Sequence, residues 1–443
     1  RAAASGPGEP PPPPTIGVVA LPYGNPGARR GGAHGGPAAL RRLLALVGLC
    51  LSVCLIAPAC APTARPAAPD ATGQQVRQVL DRRAAAVLHR DRTAYLASFD
   101  PRATALRAAQ GEEFADLAAV PLRSWSYEVA DVARTGDTAT VRAVLRYRLT
   151  GYDTAPVSTP RFLELVRRGG RWYVTLDRPA DGGAQQLWQQ GRVEAVEGAR
   201  SLVLGVGQAP ARLRLVAAAA DRAVPAVDAA WPGDWERRVV VYVPASLDAM
   251  AALLGRPAAS YRDIAAVTTG ETGGAGAAPA DRIIVNPDAY GTLSDFGQQV
   301  VLTHEITHVA TRRATSAATP TWLSEGFADW SAYRGSGRPA TVLAPELRAA
   351  QRTSGVPEAL PADGDFDFDA DPDALARAYE ESWLACALIA DEWGAKRLAA
   401  FYRAVGAHDG RPGAVPDALR DVLSTTPEAF TRLWRKYLTA RLD

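Results

Sequence analysis

The chain of 443 residues has only four cysteines, one methionine (Met250), two lysines and five histidines, and its formal net charge is +2. Each shortage excludes something. Cys50, Cys54 and Cys60 crowd into one amino-terminal apolar stretch and leave Cys386 alone beyond it, so no internal disulfide framework can brace the body. A net charge this close to neutral lacks the basic excess of a dedicated nucleic-acid binder. Just one apolar run, Leu43 to Ala59, approaches the length of a membrane span. No segment repeats at a solenoid period. What remains is ample for burial: 47% apolar against 22% charged residues, over a length that suits about two to three domains.

Residues 1–38 are low-complexity, with a proline run at Pro10–Pro14 and many glycines, and read as a tail without structure. Arg41 and Arg42 then precede the apolar run, which passes through Ala-Pro-Ala into Cys60. A basic flank, a short apolar core and small residues make up an export signal over 39–60. Cys60, preceded by Ala59, resembles the lipidated cysteine of a bacterial lipoprotein signal. Two alternatives stay open: an uncleaved anchor with its arginines inside, or a cleaved secreted form. All three place the body outside the cytoplasm, on the outer face of the membrane or released from it.

A linker at 61–72 leads into two folded regions. From Gln74 to about Leu96 the spacing of Val76, Leu80, Ala84 and Val87 predicts a helix. Val141–Leu149 alternates as a half-buried strand, and Phe162–Arg167 and Trp172–Leu176 flank a Gly169-Gly170 hairpin turn. A leading helix before an antiparallel sheet resembles the NTF2-like (SnoaL-like) fold over 73–180, which implies a conical accessory domain. His89 reads there as a packing or surface residue. Further on, Ala211–Val224 predicts a helix stopped by Pro225, Arg238–Val243 and Arg282–Val285 short buried strands, and Ser246–Leu254 a helix between them. After Ser294 the pattern is almost wholly helical. The fold class expected is α+β, the cone followed over 185–443 by a two-lobed domain with a small mixed sheet and a helical lobe.

The chemistry resides in His304-Glu305-Ile306-Thr307-His308. Phe296, Val300, Val301, Ile306 and Val309 keep helical spacing across Ser294–Arg313, with Thr292 and Ser294 as candidate caps. Residues four apart share a helix face, so both imidazoles can hold one ion while Glu305 reaches a water on it. Thr319 and Pro320 predict the start of a second helix, folded back so that Glu325 faces the histidines as a third ligand. Two His and one Glu leave the fourth position of tetrahedral zinc to water. Asp329, one turn beyond Glu325, can accept the outer N–H of a ligand histidine.

His304–His308 followed by Trp322-Leu323-Ser324-Glu325-Gly326-Phe327-Ala328 closely resembles the gluzincin metallopeptidases of clan MA, in their aminopeptidase-N-like branch. The resemblance implies Zn2+ on His304, His308 and Glu325, with Glu305 as general base and proton donor, and a peptide or protein substrate. Thr311 and Ala314 exclude a metzincin, which needs Gly and His there. The Gly-x-Met-Glu-Asn segment with which the branch grips a free amine is absent. Asp281–Pro287 is instead expected to be the edge that pairs with an extended peptide. Tyr379 is the candidate oxyanion donor, with His408 in a Gly-Ala-His-Asp-Gly loop as a further candidate. The aspartates of 363–373 read as a solvated loop, because Ala370 stands where a calcium loop needs glycine. Cys386 is expected to be buried and inert. The rival reading is a cell-surface binding protein that keeps the zinc scaffold without cleaving.

Overall fold

A computed structural model describes residues 17–20, 71–180, 183–269, 280–367 and 371–443, so the export segment and Cys60 lie outside the described residues. The architecture is mixed α+β with two sheets. Gly17–Ala20, expected to carry no structure, form strand β1 at the edge of the larger sheet.

Helix α1 (Ala71–Leu88) buries Val76, Val79, Leu80 and Val87. The helix expected to reach Leu96 breaks instead at Arg90, which has φ 56° and donates to the Leu117 and Val120 carbonyls. Asp91 then caps α2 (Arg92–Leu96), and α3 (Thr104–Asp116) follows. Next come β2 (Leu122–Thr135), β3 (Thr138–Leu149), β4 (Val157–Arg168) and β5 (Arg171–Pro179), an antiparallel meander in chain order. Along β3, Val141, Ala143, Leu145, Tyr147 and Leu149 point inward while the intervening arginines do not, the period-two pattern of a half-buried sheet. Gly169 and Gly170 both take positive φ, 53° and 80°, as a two-residue hairpin turn requires.

The second sheet collects β6 (Val193–Glu197), β7 (Ser201–Val206), β8 (Val239–Val243), β9 (Ile264–Thr269) and β10 (Arg282–Val285) in the order β1-β9-β10-β8-β7-β6. β7, β8 and β10 run parallel and are buried on both faces, so they read as continuous apolar runs. Helix α4 (Pro210–Ala230) joins β7 to β8, and α5 (Leu247–Leu254), capped by Ser246, follows β8. Pro225 does not stop α4: it faces solvent, while Ala223, Val224, Val227 and Ala230 on either side are locked into the core. Burial of that stripe outweighs the missing hydrogen bond.

β10 is an interior strand between β9 and β8, so Asp281–Pro287 is not the free edge expected of it; on that side the sheet continues through β9 to β1, which forms the edge. One face of this sheet packs on helices. The other meets the first sheet, where Tyr242, Met250 and Ile284 share a core with Tyr147 and Trp188. Arg282 fixes the seam by pairing with buried Asp153 at 2.7 Å and donating to Tyr242 Oη at 3.0 Å.

After Ser294 all described regular elements are helical. The chain passes from α6 (Pro287–Gly291) to α7 (Asp295–Thr311) and α8 (Thr321–Tyr333). The short α9 (Ala340–Leu343) and α10 (Pro345–Ser354) precede the long α11 (Pro372–Trp393). Helices α12 (Ala395–Gly406), α13 (Ala414–Leu423) and α14 (Pro427–Leu442) complete the lobe. α8 and α11 approach so closely that a Cβ at Gly326 would overlap the Ser382 carbonyl. Cys386 is fully buried beside this contact.

Candidate metal centre

Helix α7 starts where Ser294 Oγ accepts from the Gly297 N–H; Thr292 takes no part and bonds the Ala289 carbonyl. From Val300 onward the helix is almost wholly buried, which sinks His304 and His308 into the protein. The turn after it reverses the chain, and α8 lies back alongside. Thr319 does not cap α8 as expected, because its hydroxyl accepts from Ser316. Asp363 does so instead, accepting from the Thr321 N–H at 2.9 Å from within the acidic loop. Pairing of a distant acid with a helix N-terminus leaves no local trace in sequence.

The reversal brings His304, His308 and Glu325 together. His304 Nε2 and His308 Nε2 stand 3.0 Å apart, and Glu325 Oε2 lies 3.2 Å from the first and 3.4 Å from the second. Three donors held around a zinc ion by bonds of about 2.0–2.1 Å in a tetrahedral arrangement are spaced about 3.3–3.4 Å apart. The observed triangle matches that spacing closely. Among the described residues this trio is the group of His, Cys, Asp and Glu side chains able to hold an ion.

The electrostatics agree with the geometry. His304 Nδ1–H donates to Asp329 Oδ1 at 2.8 Å, which fixes the tautomer and turns the Nε2 lone pair toward the trio. Burial alone would push His304 down, but the Asp329 and Glu325 carboxylates outweigh it and raise its pKa to about 10. Against its own burial, Glu325 is held down at about 2 by His308 and His304. Carboxylates and imidazole lone pairs thus stabilise positive charge at one buried point, and a divalent cation can take the place of the proton there.

Glu305 has no exposed surface and stays outside the trio. Its Oε2 accepts from Thr268 Oγ1 at 2.5 Å, while Oε1 is buried with no hydrogen-bond partner. Burial pushes its carboxyl up, offset in part by His304, His308 and the Thr268 hydroxyl. Thr268 belongs to β9 and went unread in the sequence, where it stands 37 positions from Glu305 without a motif around it.

Tyr379, on α11, packs 6.5 Å from the His304 ring and edge-on to Phe366 at 5.3 Å. Burial, reinforced by Glu325, Asp329 and Glu305, drives its pKa well above the ordinary value, so the phenol keeps its proton and can donate. His408 is elsewhere, bonded to the Gly410 carbonyl and near Asp417 in a surface loop. His89 is exposed at the end of α1. In the acidic loop, Asp363, Asp365 and Asp371 each accept backbone N–H groups.

No family model and no curated relative matches the chain. Two solved structures are similar in part. An M1 zinc metallopeptidase from Deinococcus radiodurans shares 16% identity at a TM-score of 0.30, over 61% of this chain and 58% of that one. A Mycobacterium tuberculosis protein of unknown function shares 15% identity at a TM-score of 0.21, over 26% of this chain and 73% of that one. The chain therefore spans a little under three fifths of the metallopeptidase's length.

Proposed function

We propose that the chain is a zinc-dependent peptidase of the gluzincin kind. One observation carries the reading: Nε2 of His304, Nε2 of His308 and Oε2 of Glu325 converge at 3.0–3.4 Å beside a Glu305 whose Oε1 has no partner. Held by these three, zinc would supply Lewis-acid polarisation of a carbonyl and of a water bound to it. Glu305 takes the proton of the attacking water through Oε1 and passes it to the leaving amine. Its raised pKa suits a group that must both accept and return that proton. Asp329 holds the His304 ring in place, and Tyr379 donates to the oxyanion.

Glu305→Gln tests the reading. It keeps the side-chain shape, so zinc should bind at unit stoichiometry, while cleavage of an unbiased peptide library should fall by about a thousandfold. The unaltered chain should lose the same activity to a chelator and regain it with zinc. Unchanged turnover in the variant removes Glu305 from the mechanism. Zinc binding without cleavage by either form favours the rival, a binding protein on a zinc scaffold, to which the full burial of His304 and Glu305 lends support.

We further infer that 73–180 is an accessory module of the NTF2-like kind. Support comes from three helices preceding a four-stranded antiparallel meander with one buried face. Location is carried by the sequence alone: lipid on Cys60, or the run from Leu43 to Ala59, would anchor the chain on the outer membrane face. Mass spectrometry of the mature amino terminus decides between these forms.

A further inference from the structure

The first sheet ends on β5, and part of that edge is open. Val174 turns its backbone outward, its N–H donating to the Ser98 carbonyl at 2.9 Å and its carbonyl accepting from the Asp100 N–H at 3.0 Å. Backbone groups alternate sides along a strand, so Trp172, two residues earlier, turns its N–H and carbonyl the same way. Its partner on β4 agrees, because Arg167 donates its N–H to the Asp137 carbonyl, away from β5. Among the described residues nothing pairs with the Trp172 backbone on the outer side. A groove of about 990 Å³ lies there, walled by α1, by the stretch from α2 into α3 and by residues 170–173. Gln75, Gln78, Arg82 and Ala85 recur along one face of α1, which gives that wall a length of about 15 Å, the span of about five extended residues.

The walls are cationic. Arg82 and Arg171 are exposed, and among the described residues neither side chain has a hydrogen-bond or ion-pair partner. Arg107 is held by the Leu96 carbonyl at 2.7 Å, with no carboxylate on it. The one acid in the lining, Asp91, is engaged in capping α2 through the Ala94 N–H. Exposed Arg146, Arg313 and Arg420, outside the groove, each pair with a carboxylate. Unpaired guanidiniums around an unpaired strand edge suit an extended chain that carries carboxylates. We propose that the groove binds an acidic peptide segment, which adds to the β5 edge at Trp172 while its carboxylates pair with Arg82 and Arg171. All the lining residues follow the segment 39–60 in the chain, so every mature form retains the groove. Neither metal nor hydrolysis enters the binding, which stands or falls apart from the peptidase reading.

The test uses the full chain and fluorescein-labelled hexaglutamate, with hexaglutamine as the neutral control. Fluorescence anisotropy should show hexaglutamate bound, hexaglutamine unbound and the affinity falling as salt rises. Arg82→Gln with Arg171→Gln should weaken binding at least about tenfold. Arg142→Gln with Arg146→Gln, on β3 and outside the groove, should leave it unchanged. In the unaltered chain, saturation with hexaglutamate should slow amide hydrogen exchange at Trp172 at least about tenfold, a readout that needs no variant to fold. Equal weakening in both double variants overturns the site, because net charge alone then governs binding. Binding that leaves exchange at Trp172 unaltered overturns the strand pairing. Absence of hexaglutamate binding, or equal binding of hexaglutamine, overturns the acidic partner. Inorganic tripolyphosphate that binds where hexaglutamate does not would assign the groove to a small anion and overturn the peptide.

Discussion

Two buried polar clusters, one in each half of the molecule, look alike in composition and differ in what their atoms face. In the amino-terminal unit, Arg83 pairs with Asp177 at 2.6 Å, Arg161 joins the same carboxylate at 2.7 Å, and Tyr95 donates to Gln110. The Arg83 guanidinium also lies over the rings of Phe99, Tyr95 and Tyr127 at 4.8–5.4 Å. Charge there is met by opposite charge or by the face of a ring, although Arg83 Nε and Arg161 Nη1 are buried without a hydrogen-bond partner. In the helical half, two imidazole nitrogens and a carboxylate oxygen point at one another across 3.0–3.4 Å, with a further carboxylate oxygen left unpaired beside them. Lone pairs converging on one point call for a cation. Burial of charge, or of an unpartnered polar atom, is therefore a poor guide to chemistry; what separates the clusters is that one pairs cations with an anion while the other turns acceptor atoms toward a single point.

The largest effect should come from breaking the paired cluster. Arg83→Met leaves Asp177 with one cation instead of two, and the lost pairing should cost about 3 kcal/mol. Urea denaturation would register this as a lower midpoint, with zinc content unchanged. A cost near zero would mean that the cluster is not structural and would erase the contrast.

The second effect sharpens the converging cluster. Thr268→Val keeps the shape and removes the hydroxyl that holds Glu305, so kcat should fall about tenfold, the scale of one hydrogen bond to a charged group. KM and zinc content should change little, and Thr268→Ser should restore turnover. Equal loss in both variants would assign Thr268 to packing instead.

The smallest concerns a carboxyl with neither solution. Glu380 accepts the Leu347 N–H at 2.6 Å, and burial together with neighbouring Glu346 pushes its pKa up to about 10. The folded state thus holds this proton more tightly than the unfolded chain does. The stability it contributes is complete below about 4.5, the ordinary range, and is lost as pH rises toward the folded value. Glu380→Gln, neutral at every pH, should melt above the parent at pH 9, by a margin that shrinks as pH falls, and level with it at pH 4. A gap that widens toward acid would reverse the sign and refute the protonated state.

Much of the site was legible because its parts are local. His304 and His308 are one helical turn apart, and the Trp322–Ala328 segment follows closely enough that a short reversal must set Glu325 near them. The Gly169-Gly170 turn was legible for the same reason, since glycine alone tolerates those φ values cheaply. Misreadings fell where distant contacts override local preference. Pro225 should end a helix, yet core burial on both sides carries α4 through it. Asp281–Pro287 looked like an edge because buried parallel and edge strands of four residues have the same pattern.

By itself the sequence determined the two helices of the candidate metal centre, the His304, His308 and Glu325 side chains that they bring together, and the hairpin of the first sheet. Each depends on spacings of a few residues that backbone geometry converts directly into a shared face or a turn. Only the tertiary structure decided that β9 borders the site, that Thr268 holds Glu305, that Asp363 caps α8 and that Gly17–Ala20 lie along β9. Those contacts join residues tens to hundreds of positions apart, and a hydrogen bond across such a distance is fixed by how sheets and helices stack, for which no local periodicity exists.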